Sequence, residues 1–216
     1  YVAEGTTAGL DSVMRLLQAA PEGPARRSLW ISIWQGWQDL ANDPESMTPR
    51  YALRDRASAL VNSLKRVHRD LNNQIEETNT RISAGAQQFN ELTTAIADLN
   101  TRIAQSEIGG QEASDLRDSR DLLVEQLSAL TDISVQQQHD GTINVYSGGH
   151  IVVQRDLAVH LNINQVENDT KQNVVLTLGS SPLTWTPTGG ELGALYEHRD
   201  KELPQLLEKL NQFARE

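Results

Sequence analysis

The sequence contains no cysteine, which excludes disulfide bonds and thiolate metal sites. It also lacks any apolar run that approaches the roughly 20 residues of a membrane-spanning helix, and its N-terminus carries no charged-then-apolar secretion signal. Basic residues are outnumbered, because 19 Lys and Arg stand against 29 Asp and Glu and give a formal net charge of −10. Phosphate binding requires a basic face, so the composition argues against a nucleic-acid partner and equally against binding to an anionic membrane surface.

Catalytic motifs are missing as well. The chain has no HExxH pair, no glycine-rich phosphate loop and no GxSxG turn. Three of its five histidines, His139, His150 and His160, fall in a stretch whose pattern is that of β-structure. This leaves a metal site there open, but scattered histidines without a function are the commoner case. The sequence therefore predicts a protein that is not an enzyme, with no catalytic residue, no cofactor and no metal.

A long heptad pattern dominates what is present. Between residues 48 and 105 the only glycine is Gly85 and the only proline is Pro49. Apolar residues recur there in two series, each seven apart, with the alternating gaps of three and four that are typical of a coiled coil or a long bundle helix. At about 1.5 Å per residue the pattern predicts one helix of roughly 87 Å, longer than a compact core needs. The core positions predicted on this helix are Leu64, Leu71, Ile75, Ile82, Phe89, Leu92, Ile96, Leu99 and Ile103.

Two shorter helices are predicted before the long one, at residues 6–19 and 28–41. The second carries Trp30, Trp34 and Trp37 on one face. A row of this kind is more often core packing than a recognition surface. These tryptophans are therefore predicted to pack in the core, with recognition as the alternative.

A helix at residues 114–130 is predicted to follow, and a short link makes it an antiparallel neighbour of the long helix. Arg120 lies in an otherwise leucine row of this helix. It is predicted either to pair with a carboxylate across the helix interface or to extend its charge outward. The predicted packing positions are Leu116, Arg120, Leu123, Leu127 and Leu130.

Near Asp132 the period of the pattern changes from 3.5 to 2, which indicates strands. Asp140-Gly141 predicts a two-residue hairpin turn. Residues 157–163 predict a strand with one buried face, and residues 174–178 predict another strand. After this β block the helical pattern returns over residues 191–214.

The predicted fold class is α+β, mainly α. We expect an elongated antiparallel helical bundle with one very long helix and a small β-hairpin or β-sheet subdomain. Residues 1–131 together with 191–216 are assigned to the helical bundle, and residues 132–190 to the small β subdomain. Pro204 should kink or divide the last helix, because proline lacks the backbone N–H that a helix interior uses.

Several blocks of the sequence are also familiar in their order. They are the tryptophan run from Trp34 to Pro44, the Gln-, Asn- and Thr-rich heptads from Leu71 to Ile103, the D-L-x-D-x-R-D run from Asp115 to Asp121, the D-G-x-x-N-V hairpin from Asp140 to Val145, and the G-G-E-L-G-A-L run from Gly189 to Leu195, with Arg199-Asp200 after it. Taken together over nearly all of residues 28–216, these blocks resemble the flagellar hook-associated protein 1 family, the hook–filament junction proteins.

The resemblance implies a structural component of the bacterial flagellum that joins the hook to the filament. It implies an extracellular location, reached through the flagellar type III export apparatus without a cleaved signal peptide. The implied partners are copies of the full-length protein itself, the hook protein, other hook-associated proteins and an export chaperone that binds a terminal region. The family's terminal helices and outer β domain have no counterpart in this sequence, so the chain is expected to correspond to the middle of the family protein.

Two alternatives stay open at this point. The chain could belong to another flagellar axial protein, flagellin or a different hook-associated protein, or it could be a coiled-coil binding or adhesin module. Heptads by themselves favour pairing between chains, but residues 114–130 and 191–214 supply partner helices within the chain. Intramolecular partners have the advantage of effective concentration, so the chain alone is predicted to be a monomer.

Overall fold

The computed structural model describes residues 23–108, 112–168 and 171–215, so the helix predicted at residues 6–19 lies outside the described residues. The helices are α1 Gly23–Asn42, α2 Met47–Glu107, α3 Ser114–Leu130, α4 Gly190–Glu197 and α5 Leu203–Arg215, with a π-helical turn His198–Glu202 between the last two. The strands are β1 Ile133–Gln137, β2 Ile143–Ser147, β3 His150–Gln154, β4 Leu157–Ala158, β5 Leu161–Asn168, β6 Lys171–Leu178 and β7 Thr184–Trp185. The predicted fold class, mainly α with one very long helix and small β-sheets, is confirmed.

The long helix α2 spans 61 residues without a break. Pro49 is tolerated because it lies in the first turn, where backbone N–H groups have no helical partner in any case. Gly85 has a packing reason, since a Cβ added to it would lie 2.7 Å from Leu192 Cδ2 of α4. The glycine therefore marks the place where a neighbouring helix comes close. None of the described helices combines the length and apolarity that crossing a bilayer requires.

The chain divides into two compact units. Among the described residues, the first contains those up to Gln74 together with those from Leu203 onward, and the second is Ile75–Glu202. This boundary falls inside α2. It differs from the predicted division, in which residues 132–190 form a β subdomain apart from the helices.

The second unit has one core that helices and strands share, which explains the different boundary. Its two antiparallel sheets have the strand orders β1-β2-β3-β4 and β5-β6-β7. The ring centroids of Phe89 in α2 and Trp185 in β7 are 5.7 Å apart. Because each sheet buries one face against helices, neither layer forms a core without the other. The buried cluster includes Ile82, Phe89, Ile96, Leu127, Val145, Val152, Leu176, Trp185 and Leu192.

In the first unit, α1 packs against α2 at a glycine. Gly36 is buried, and a Cβ there would lie 2.6 Å from Arg56 Nη1. The same guanidinium donates a hydrogen bond to the Ser32 carbonyl oxygen at 2.9 Å and lies 3.5 Å from the Asp39 carboxylate. Among the described side chains of this unit, the only buried residues are Gly36 and Leu203.

The β1–β2 turn is longer than predicted. Gln137 pairs with Ile143, and Gln138 N–H donates to the Thr142 carbonyl at 2.8 Å, so three residues rather than two form the tip. Gly141 has φ of 78°, the left-handed conformation that ends a three-residue hairpin loop. The prediction of a two-residue turn at Asp140-Gly141 is therefore wrong.

The stretch at residues 157–163 is not one strand. Its first part belongs to β4 and its last part to β5, which lie in different sheets. Leu157 is 62% exposed, whereas Leu161 is 2% exposed, so the apolar alternation does not correspond to one buried face. The chain crosses from one sheet to the other here. An alternation of apolar and polar residues does not show where a chain leaves one sheet and enters the next.

The predicted break near Pro204 is present. The helix leaves α-geometry in the π-helical turn and resumes at Leu203, which places Pro204 in the first turn of α5, where its missing N–H is harmless.

Candidate functional site

Among the residues that the structure describes there is no group of three or more His, Asp or Glu side chains that could hold a metal ion. His139, His150 and His160 are all exposed, and His160 hydrogen-bonds the Thr94 hydroxyl at 3.0 Å. The informative sites are those that hold the elements together and those that face outward.

The residues predicted as packing positions are distributed unevenly along the helices. In the second unit those of α2 are buried, and so are Leu127 and Leu130 of α3, whereas Leu116 and Leu123 are half-buried. In the first unit Leu64 and Leu71 are only half-buried. The buried positions on α2 are Ile75, Ile82, Phe89, Leu92, Ile96, Leu99 and Ile103.

The tryptophan row is not core. Trp34 is 55% exposed and Trp37 is 61% exposed, and Ile31 beside them is 52% exposed. The prediction that Trp34 and Trp37 pack in the core is therefore wrong for the described chain, because no described element covers this face of α1. The side chain of Trp30 lies outside the described residues.

A third buried row on α2 was missed by sequence reasoning. This row lies next to the two apolar series and also recurs every seven residues. It contains Asn79, Ala86, Thr93 and Asn100, all at most 5% exposed. The available signal was the lack of any charge at these four positions. A three-row stripe is what a helix in a globular core presents, whereas two rows suffice for a coiled-coil seam.

Asn100 is the centre of the first polar anchor. Its Nδ2 donates to the main-chain oxygens of Ile143 at 2.8 Å and Arg155 at 2.7 Å, and its Oδ1 accepts from Ile143 N–H at 3.1 Å. Arg120 of α3 donates through Nη1 to Asn100 Oδ1 at 3.2 Å and to the Gly141 carbonyl at 2.7 Å. One amide thus joins α2 to β2 and, through Arg120, to α3.

The position of Arg120 corrects both predictions made for it. The side chain is 3% exposed, so it does not extend outward. Its short hydrogen bonds go to an amide and a carbonyl, while the nearest carboxylate, that of Asp121 in the same helix, is 3.7 Å from Nε. Burial lowers the pKa of Arg120 from its usual value.

Asn79 forms a second anchor of the same kind. Its Oδ1 accepts from Val174 N–H of β6 at 3.2 Å and from Arg199 Nη1 at 3.0 Å. Arg199 also donates to the Val174 carbonyl at 2.6 Å, is 3% exposed and lies over the Tyr196 ring at 4.5 Å. The arrangement repeats the pairing of a helix asparagine with a buried arginine around one strand residue.

Asn90 supplies a third anchor, to β5. Its Nδ2 donates to the Leu161 carbonyl at 2.9 Å, and its Oδ1 accepts from Leu161 N–H at 2.7 Å. We call Asn79, Asn90 and Asn100 the asparagine anchors. Because each binds the main chain of one strand residue with directional hydrogen bonds, they fix the position of three strands along α2.

A charged clasp joins the end of α2 to the start of α3. The Glu107 carboxylate accepts from Arg117 Nε and Nη2, both at 2.8 Å, and from Ala113 N–H at 3.0 Å. The hydrogen bonds from Arg117 and then from Ala113 N–H lower the pKa of Glu107 from 4.5 to about 2. The carboxylate serves in place of a side-chain cap at the start of α3, since Ala113 is the N-cap and offers no capping atom.

Comparisons with known proteins agree with this architecture. The family model "Flagellar hook-associated protein FlgK helical domain" matches residues 27–216. The chain is 30% identical over 192 residues to flagellar hook-associated protein 1 of Salmonella typhimurium, covering 85% of this chain and 34% of that protein. It is 29% identical over 185 residues to the Escherichia coli K12 protein of the same name, covering 82% and 34%.

A solved structure shows the same fold. It is that of the flagellar hook junction protein FlgK from Burkholderia pseudomallei, which superposes with a TM-score of 0.72 at 24% identity and covers 90% of this chain and 37% of that one. The chain thus spans about a third of the length of the curated Salmonella and E. coli relatives.

Proposed function

Because the chain belongs to the flagellar hook-associated protein FlgK helical domain family, we propose that it is the helical part of a structural subunit that joins the flagellar hook to the filament. The observation that carries the proposal is the set of asparagine anchors along α2. A long helix that is hydrogen-bonded at three points to two sheets is suited to carrying load, because a displacement along the helix must break several directional bonds together.

The polar anchors contribute differently from the apolar core. Apolar contacts are non-directional and can slide, whereas a buried hydrogen bond has a defined geometry and leaves costly unpaired groups when it breaks. Arg120 and Arg199 extend two of the anchors to a second element each. A pull on one sheet is therefore shared with α2 and with a neighbouring segment.

The proposal has several finer parts. The subunit acts without catalysis, cofactor or metal, and its location is extracellular after export through the flagellar apparatus. Its partners in the full-length protein are further copies of itself, the hook protein, other hook-associated proteins and, before export, a chaperone. The chain by itself is a monomer at micromolar concentration, because its own elements cover the apolar stripe of α2 in the second unit.

The direct test is localisation. Antibodies raised against residues 27–216 would be applied to flagella purified from the source bacterium and detected with gold particles in the electron microscope. We expect a single zone of label where the hook meets the filament. Label spread along the filament would contradict the junction role and favour a filament subunit.

A second candidate, a binding or adhesin module, has one observation in its favour. The face of α1 formed by Ile31, Trp34 and Trp37 is more than half exposed at each of the three side chains, and exposed tryptophans are frequent binding hot spots. The same antibodies applied to whole cells separate the two functions, since label on the cell surface away from the flagella would favour the module.

A further inference from the structure

A basic face lies on the part of α2 that belongs to the first unit. Lys65, Arg66 and Arg69 are exposed, and with Asn62 they follow the i, i+3, i+4, i+7 spacing that places residues on one side of a helix. Within the described part of the chain, none of these three cations forms an ion pair with a carboxylate. We call Lys65, Arg66 and Arg69 the basic face.

This basic face stands out because the charge of the chain is divided unequally. The first unit has eleven Lys and Arg against ten Asp and Glu, whereas the second has eight against nineteen. The second unit therefore carries a charge of −11 and the first a charge of +1, which together give the net charge of −10. Another copy of this chain consequently offers an acidic surface that the basic face attracts.

The outer side of α3 has the matching pattern. Asp115, Asp118 and Glu125 are exposed on one side of this helix, at the spacing i, i+3 and i+10, around Leu122, which is 55% exposed. None of these three carboxylates takes part in an ion pair in the described chain. We call these four residues the acidic face. An exposed apolar side chain, Val61 at 47%, likewise lies next to the basic face.

We propose that the basic face of one copy binds the acidic face of α3 in a neighbouring copy. The inference rests on the proposed function, because it names a contact between subunits at the junction. Two different surfaces meet in it, so the contact is head-to-tail and closes into a ring or continues as a filament. Exposed ion pairs are individually weak and screened by salt, so the contact orients subunits that other contacts hold together.

The test uses the fact that, among the described residues, the charged groups of neither face form an ion pair within the chain. One variant carries Lys65→Glu, Arg66→Glu and Arg69→Glu, so both of its faces are acidic. The other carries Asp115→Lys, Asp118→Lys and Glu125→Lys, so both of its faces are basic. All six positions are exposed, and circular dichroism should show both variants folded.

Association would be measured by sedimentation at low salt and up to millimolar concentration. We expect weak, salt-sensitive association of the wild type and at least tenfold weaker association of each variant alone. An equimolar mixture of the two variants should associate again, because each face then meets one of opposite charge. A variant with Glu76→Lys, Glu77→Lys and Glu91→Lys, at exposed positions of α2, makes the same charge change elsewhere and should associate like the wild type.

Several outcomes would overturn the inference. They are a wild type that shows no salt-sensitive association, variants that associate as the wild type does, or a mixture that fails to recover. Binding of a DNA duplex or of phosphatidylserine vesicles by the wild type, lost in the Lys65, Arg66 and Arg69 variant while self-association is absent, would assign the basic face to a polyanion instead. If the sedimentation test fails but gold label is found where the hook meets the filament, only this contact between copies is overturned. If the gold label is found elsewhere, the proposed function is overturned.

Discussion

At the residue scale, buried polar groups are the most specific feature of the second unit. Asn100 is fully buried and makes hydrogen bonds to Ile143, Arg155 and Arg120. The Ile143 main chain and the Arg120 guanidinium are buried at these contacts, so a hydrogen bond that they lose there is not replaced freely by water. The effect of losing the amide therefore exceeds the loss of one ordinary hydrogen bond.

We predict that Asn100→Ala lowers the free energy of unfolding by about 2–5 kcal/mol, because it removes the acceptor of the Ile143 N–H and one of the two acceptors of the buried Arg120. Urea denaturation followed by circular dichroism measures the change. Asn73→Ala is the matched control, since Asn73 is exposed on the same helix and should change stability by less than about 0.5 kcal/mol. Equal midpoints for the two variants would show that the anchor at Asn100 does not contribute.

The apolar counterpart is Phe89, which has no exposed surface and contacts Trp185. Phe89→Ala removes a large buried side chain and leaves a cavity between helix and sheet, so we expect it to reduce the free energy of unfolding by about 3–5 kcal/mol. Leu122→Ala at the exposed position of α3 serves as control and should be nearly neutral. An unchanged denaturation midpoint for Phe89→Ala would mean that this face of α2 is not the core.

At the scale of elements, the period of the apolar residues was a good guide wherever one element packs against one layer. The predicted span 114–130 is that of α3, because its three/four leucine spacing and short preceding link are local signals. The hairpin tip and the crossing between sheets near Val159 could not be read in this way. They depend on Gln138 pairing with Thr142 and on Leu161 binding Asn90 of α2.

The same limit applies to the anchors and to the tryptophans. An asparagine in a heptad series can be predicted to be buried only if the strand main chain that hydrogen-bonds to it is known. Val174, which binds Asn79, is far from it in sequence. A tryptophan row predicts burial from composition alone. Whether an element covers it is a property of the fold, and Trp34 and Trp37 are left exposed.

The joint between α3 and α4 depends on one glycine. Gly190 has φ of 62°, and a Cβ there would lie 2.5 Å from the main-chain atoms of Leu130 and Thr131. Gly149 has a similar φ of 79° but open space around it. We expect both Gly→Ala changes to carry the strain of left-handed backbone, and Gly190→Ala to cost about 1–3 kcal/mol more because main-chain atoms cannot move aside easily.

Thermal unfolding of the two glycine variants side by side measures this difference directly. Since the backbone strain is shared, the gap between their stabilities isolates the close approach of α4 to the end of α3. Equal stabilities would show that the joint is loose enough to admit a methyl group.

The clasp between α2 and α3 gives stability a pH dependence. The pKa of Glu107 is about 2 in the folded chain against an ordinary value of 4.5, so the ionised carboxylate stabilises the fold fully above about pH 4.5. This contribution is lost as the pH falls from 4.5 toward 2. The pKa of Asp140 is also lowered, mainly by the hydrogen bond from the Thr142 side chain. Protonation of Asp140 at low pH therefore destabilises the fold as well.

We therefore predict that Glu107→Gln is less stable than the wild type at pH 7 and that the difference shrinks as the pH is lowered through this window. Urea midpoints of both proteins at a series of pH values test it. Glu91→Gln, at an exposed position of α2 outside the clasp, should follow the wild type throughout. A difference that stays constant down to pH 2 would exclude the ionised carboxylate as its cause.

At the scale of the whole molecule, the two units differ in their number of buried residues as well as in their charge. The described side chains of the first unit include only two buried residues, Gly36 and Leu203, whereas the second unit holds the core cluster. The helix α2 belongs to both, with the boundary between Gln74 and Ile75. One helix thus has two segments that differ mainly in what their side chains contact.

Hydrogen exchange should make this division visible within a single helix. Helical hydrogen bonds are protected mainly by tertiary packing rather than by propensity, and local opening is easiest where few apolar contacts are buried. We predict that amides of residues 47–74 exchange at least roughly tenfold faster than those of residues 75–107, with the change near the unit boundary. Phe89→Ala supplies the internal control, because it should accelerate exchange only in the second segment. Uniform protection along α2 would mean that the helix opens as one cooperative element, and that its stability does not follow the burial of its side chains.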